Sequence, residues 1–247
     1  MIRVMRKVHR CLYLASVLVF FALFYPLLAI LARNPERHFH AIARCRRIIG
    51  FLSSACVGIF YRFRFETPID WSHPYILCSN HTSNLDITAM VVLCPSAFSF
   101  MGKIELLDNP VTGLFFKTID IPLNRQSKIS AFKAFKRADE YLSKGRSMAI
   151  FPEGHIGEEY PPYLYDFKNG PFRLAIEAQA PIIPIIIHNA WKIFWDDGKT
   201  HGSRPGIIDI EVLKPIETAN LQLEQANQIR DDVHQLIKKH WNRTGGL

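Results

Sequence analysis

Histidine and aspartate stand five residues apart in Asn80-His81-Thr82-Ser83-Asn84-Leu85-Asp86, between the apolar run 75–79 and the helix-like segment ITAMVVL. Along one helix five residues turn through about 500°, so the two side chains cannot share a helical face. In a strand-to-helix turn they can meet, with His81 in the loop and Asp86 in the first helical turn. Asp86 then accepts one imidazole N–H and fixes the tautomer, leaving the other ring nitrogen free as a general base. The helix N-terminus also favours the aspartate's charge. Spacing alone fits a structural histidine beside a capping aspartate equally well.

A second group follows another apolar run. Phe151-Pro152-Glu153-Gly154-His155 places a carboxylate at a strand's end and a glycine where backbone can approach a ligand. A β-turn with a solvated Glu153 is the plainer alternative. Lys103 follows the run 98–102, and Arg125 follows IDIPLN. Cations at strand ends commonly hold phosphate or carboxylate, although each taken singly is more often a surface charge. PIIPIII, residues 181–187, reads as buried core that could also wall an acyl chain. Metal chemistry finds little support. A hydrolase built on His81, Asp86 and His155 lacks any H-E-x-x-H cluster, and Cys11, Cys45, Cys56, Cys78 and Cys94 form no C-x-x-C. Those cysteines are expected to be buried, reduced thiols of a protein facing the cytosol.

The elements that must position these residues alternate from residue 74 onward. Strands are predicted at 75–79, 98–102, 119–122, 147–151, 182–187 and 207–213, mostly as continuous apolar runs suited to burial on both faces. Helices are predicted at 127–144, 171–180 and 221–241. In the first, Ile129, Phe132, Phe135, Ala138 and Leu142 form one face, and Gly145 stands at the C-cap position. This alternation predicts an α/β fold with a central mixed, largely parallel sheet flanked by helices. Residues 244–247 are expected to fray.

The N-terminal segment differs in kind. Residues 1–64 carry eleven Lys and Arg against one acidic residue, Glu36, so the formal charge of +8 is local to this segment. Its middle, residues 11–32, is a run without charge, about 33 Å long as a helix and enough to cross a hydrocarbon core. Basic residues beside such a run point to anionic lipid headgroups and away from nucleic acid. The run is longer than a signal peptide's and no A-x-A site closes it. A second apolar stretch, 48–61, is too short to span alone. Together the two predict a helical pair embedded in the membrane, entering one leaflet and returning, with a single span as the alternative. The chain is therefore divided into a membrane-anchoring segment, 1–65, and an α/β domain, 66–247. A chain shortened to begin at Glu66 is expected to be soluble.

Taken in order, these blocks resemble the glycerolipid acyltransferase family, of the 1-acylglycerol-3-phosphate type. NHTSNLD is similar to its N-H-x-x-x-x-D block, IDIPLNR to its arginine block, FPEGH to its F-P-E-G block and PIIPIII to its proline-bearing fourth block. The resemblance covers about residues 70–218 and implies an O-acyltransferase of phospholipid biosynthesis. On it, His81 is the catalytic base and Asp86 its orienting partner. Glu153 and Gly154 help bind the acceptor, while Arg125 and Lys103 contact its phosphate. The donor is an acyl-CoA or acyl carrier protein, with no other cofactor and no metal. The enzyme is expected at the cell membrane, its active site on the cytoplasmic side. Where the family continues F-P-E-G-T-R, this chain has His155-Ile156. The missing cation leaves open a carboxylate-bearing acceptor, an N-acyl amino-acid lipid. A non-catalytic lipid-binding protein on the same fold is the alternative of a different class.

Overall fold

A computed structural model describes residues 1–195 and 201–243, so the expected frayed tail at 244–247 lies outside the described residues. Seven strands form one sheet in the spatial order β1 (Ile59–Phe65), β7 (Gly206–Val212), β6 (Ile182–Ile187), β2 (Ile76–Ser79), β5 (Ser147–Ile150), β3 (Phe98–Lys103), β4 (Ile121–Leu123). β6, β2, β5, β3 and β4 run parallel, whereas β7 is antiparallel to β6 and carries β1 parallel to itself. The mixed, largely parallel sheet read from the sequence is present. β2, β5 and β6 are buried at every residue, which explains their unbroken apolar runs.

Helices cover both faces. On one, α5 (Lys128–Ser143), α6 (Gly170–Glu177) and α8 (Ala226–Arg243) pack Leu142, Phe172 and Ile237 against Ile76, Met148 and Ile182. On the other, α3 (Leu85–Leu93) and the short α7 (Ala190–Ile193) pack Leu85, Met90 and Ile193 against Leu77, Ala149 and Ile183. A further helix, α4 (Thr112–Thr118), leads into β4. Because of it, Ile119 and Asp120 belong to the turn after a helix and not to the strand expected there. Ser127 caps α5 by accepting from Ser130 N (3.2 Å), and Gly145 ends the turn after it with φ of 76°. The predicted apolar face of α5 holds only in part. Ala138 and Leu142 are buried, but Ile129 and Phe132 are 69% and 70% exposed, because burial of this helix begins at Ala134.

The N-terminal helical pair consists of α1 (Ile2–Leu31) and α2 (Phe39–Ala55), folded back so that Ser16 Oγ donates to Ser53 O at 2.8 Å. α1 is long and apolar enough to cross a membrane, and Leu12, Leu18, Val19, Leu23 and Leu27 stand exposed along it. α2 runs Phe39–Ala55 rather than 48–61, and it is more than an anchor. Its Phe39, Ile42 and Ile49 are buried, and Arg46 reaches into the α/β domain to donate to Asp120 (2.7 Å) and to Phe98 O (2.7 Å). The division at 65/66 needs the same correction. β1 lies on the anchor side of that line, yet it pairs along its length with β7. Its sequence, IFYRFRF, alternates because one face packs inward while Arg62 and Arg64 point out at the sheet edge. Of the cysteines, Cys45, Cys78 and Cys94 are buried as expected, while Cys11 and Cys56 are exposed.

Candidate active site

The candidate residues gather at the carboxyl ends of β2, β3, β4 and β5, where loops leave a parallel sheet. Asn80 fixes the first loop. It is fully buried, accepts from Ile187 N (2.8 Å) and donates to Ile187 O (3.0 Å), which ties the end of β2 to the end of β6. His81 follows, its ring stacked on Phe151 at 4.0 Å between centroids. The turn then enters α3, whose first turn carries Asp86.

His81 Nδ1 lies 3.1 Å from Asp86 Oδ2. The same oxygen accepts from Thr82 N (2.6 Å) and Ser83 N (2.8 Å). Asp86 Oδ1 is buried without a partner. Asp86 is fully buried, and burial raises its pKa against the opposing effect of these hydrogen bonds. A carboxylate beside Nδ1 selects the tautomer with the proton on Nδ1, leaving Nε2 as the basic nitrogen.

Glu153 does something the sequence did not reveal. It is 1% exposed, with Oε1 accepting from His81 N (2.6 Å) and Oε2 from Tyr165 N (2.8 Å). Its carboxylate points into the protein and clamps the His81 loop to residue 165. Burial, with a contribution from nearby Asp86, pushes its pKa up to about 8. A role in holding the acceptor through its carboxylate does not fit this orientation. The backbone N–H groups of residues 81, 82 and 83, candidates for an oxyanion hole, are likewise spent on Glu153 and Asp86.

A cavity of about 300 Å³ opens beside His81. Phe100, Met101, Leu106, Phe115 and Phe116 wall it, and Lys103, Arg125, Gly154 and Ile156 line it as well. Arg125 donates from Nη1 to Gly154 O, which joins the arginine block to the FPEG turn. Gly154 has φ of 82°, which favours glycine, and a Cβ there would lie 3.1 Å from Arg125 Nη1 and crowd its guanidinium. At the far end of β3 the cavity reaches the Arg46–Asp120 ion pair. Sequence reasoning missed this pair, whose members lie 74 residues apart, and the supporting roles of Asn80, Phe151 and Tyr165. The one available signal was an aspartate inside the apolar run around residue 120. Among the described residues, no three His, Cys, Asp or Glu side chains converge as a metal-binding group.

The acyltransferase family model matches residues 61–188, more than half of the chain and all four blocks. This chain belongs to the acyltransferase family. Curated relatives agree. It is 28% identical over 213 residues to the mouse 1-acyl-sn-glycerol-3-phosphate acyltransferase alpha, covering 84% of this chain and 71% of that protein. An acyltransferase of Schizosaccharomyces pombe is 31% identical over 180 residues, covering 72% of this chain and 64% of the relative. The 1-acyl-sn-glycerol-3-phosphate acyltransferase of Saccharomyces cerevisiae is 28% identical over 172 residues, 67% of this chain and 56% of its own length. In fold, the acyltransferase chain superposes on the crystal structure of the 1-acyl-sn-glycerophosphate acyltransferase from Thermotoga maritima with a TM-score of 0.80. At 17% identity, that likeness covers 98% of this chain and 97% of the other and establishes the architecture, N-terminal pair included.

Proposed function

We propose that this acyltransferase moves a fatty acyl group from acyl-CoA or acyl carrier protein to the free hydroxyl of 1-acylglycerol-3-phosphate, forming phosphatidate at the cytoplasmic face of the cell membrane. The observation that carries the reading is a histidine oriented by a buried aspartate at the edge of an apolar cavity whose rim holds Lys103 and Arg125. His81 Nε2 takes the proton of the acceptor hydroxyl as its oxygen attacks the thioester carbonyl. The tetrahedral intermediate collapses, the C–S bond breaks, and the imidazolium returns its proton to the departing thiolate. No acyl-enzyme forms. Asp86 stabilises the transient imidazolium, Glu153 holds the loop, and Arg125 and Lys103 meet the acceptor's phosphate. α1 lies in the bilayer that supplies the acceptor, and the basic residues flanking it meet anionic headgroups.

One observation favours a second acceptor. Ile156 lines the cavity at the position where the family's arginine is expected, so the site presents an apolar side chain in place of a cation there. An N-acyl amino-acid lipid, with a single carboxylate for Arg125, suits that rim. Transfer of labelled acyl groups to 1-acylglycerol-3-phosphate, glycerol phosphate and the amino-acid lipid decides between them by kcat/KM. A tenfold preference for the amino-acid lipid overturns the primary acceptor and leaves the His81 chemistry in place. No transfer to any of the three overturns both.

A further inference from the structure

A second cavity, of about 420 Å³, lies between the N-terminal half of α2 and the loop joining α3 to β3. His40, Arg44, Arg46 and Arg47 line it from α2 and Ser96 from the loop, and no Asp or Glu does. Nearby cations elsewhere are neutralised, since Lys144 and Arg146 both pair with Glu36. Arg44 and Arg47 are not. Among the described residues, no carboxylate lies within ion-pair distance of either.

Arg46 adds an independent sign. It is 7% exposed, its two terminal nitrogens serve Asp120 and Phe98 O, and its buried Nε has no acceptor. Buried donors are nearly always paired, and an orphan calls for a missing partner. The same side chain lines both this cavity and the catalytic pocket.

We propose that this cavity binds a phosphate-bearing anion, at a site distinct from the acceptor site at Arg125. Arg44 and Arg47, one helical turn apart, flank the volume with two forked guanidinium groups, which match phosphate oxygens in pairs. His40, one turn before Arg44, and the Ser96 hydroxyl complete a ring of donors. Because Arg46 lines the same cavity and holds Asp120 and Phe98 O, a phosphate bound there ties α2 to the start of β3. α2 packs beside α1, whose apolar residues stand exposed, so the phosphate belongs either to a lipid headgroup or to a soluble phosphate, which share this chemistry.

The test uses the full chain in detergent with inorganic phosphate as the probe. At about ten times its Kd, phosphate raises the melting temperature of a protein this size by about 3–6 °C. The double variant Arg44→Gln/Arg47→Gln loses that rise, and Arg44→Gln alone, at an exposed position, weakens it. Arg125→Gln keeps it. Flotation with phosphatidylcholine vesicles, with and without phosphatidate, identifies the source. Extra binding to phosphatidate that the double variant lacks assigns a headgroup, and equal flotation beside an intact thermal shift assigns a soluble phosphate. A shift undiminished in the double variant, or one that only Arg125→Gln removes, overturns the site. So does the absence of any shift together with indifference to phosphatidate.

Discussion

Replacing Asp86 with Asn separates two roles that a buried aspartate usually combines. Asp86 Oδ2 accepts three donors, His81 Nδ1, Thr82 N and Ser83 N, while Oδ1 has no partner. An asparagine that keeps its oxygen at the Oδ2 position preserves all three bonds and puts its NH₂ where the orphan was. The reverse orientation points that NH₂ at two backbone donors and loses both bonds. The turn therefore locks the amide, and His81 keeps its tautomer. What disappears is the charge that steadies the imidazolium. A charge-assisted hydrogen bond contributes roughly 1.5–3 kcal/mol and a neutral one about 0.5–1.5. The difference, about 1–2 kcal/mol, lowers kcat about five- to thirtyfold. Removing the base itself, as in His81→Ala, costs about 10²–10⁴-fold. Single-turnover rates on the two variants, with equal melting temperatures, measure the gap. Burial disfavours the charged form of Asp86, so its raised pKa lowers stability as pH rises through it. Asp86→Asn removes that slope and is at least as stable near neutral pH. An asparagine variant as inactive as His81→Ala would refute the locked-amide argument.

Glu153→Gln brings an NH₂ against either His81 N–H or Tyr165 N–H, so kcat falls with little change in acceptor KM; a raised KM at normal kcat restores the acceptor-binding role read from the sequence. With a pKa pushed from 4.5 up to about 8, Glu153 makes the native state hold its proton more tightly, so stability declines between those values and Glu153→Gln flattens the decline in thermal melts. Arg125→Lys keeps charge but not the fork, and raises acceptor KM about ten- to a hundredfold with less effect on the donor; Ile156→Arg lowers KM for a phosphorylated acceptor, and an unchanged KM in both variants removes the cation rim from the mechanism. A chain shortened to begin at Glu66 loses β1, exposes the edge of β7 and leaves Asp120 buried without Arg46, so it aggregates, contrary to the soluble domain expected from the sequence; recovery as a monomer in the supernatant contradicts this.

The parts of the site that were legible share one property, which is that their meaning is local. His81 and Asp86 are joined by a single turn, and the spacing of that turn after a buried strand sufficed to bring them together. Arg125, Lys103 and Gly154 stand just past strand ends, where a parallel sheet delivers its loops to one edge, so strand prediction alone placed them on the cavity. Glu153 stands at the strand end as expected, but its carboxylate turns inward. Whether a carboxylate at a strand end faces solvent or folds inward depends on what donors wait inside, and here they are Tyr165 N, twelve residues on, and His81 N, seventy-two residues back. No local pattern encodes that. β1 was missed because its first residues, Ile59 to Tyr61, extend an apolar run that reads as helix, and only pairing with β7 makes its alternation decisive. Arg46 was counted among the basic residues that flank a membrane helix. In the fold it is the reverse, a cation withdrawn from solvent, stacked near Phe98 and Phe100 and neutralised by Asp120. That pair couples the N-terminal helical pair to the cavity beside His81. Anything that moves α2 must therefore move a wall of the cavity or break a buried ion pair, at a cost of about 3–5 kcal/mol. The anchor and the enzyme are in this sense one structural unit, and a boundary between them cannot be drawn where the hydropathy changes.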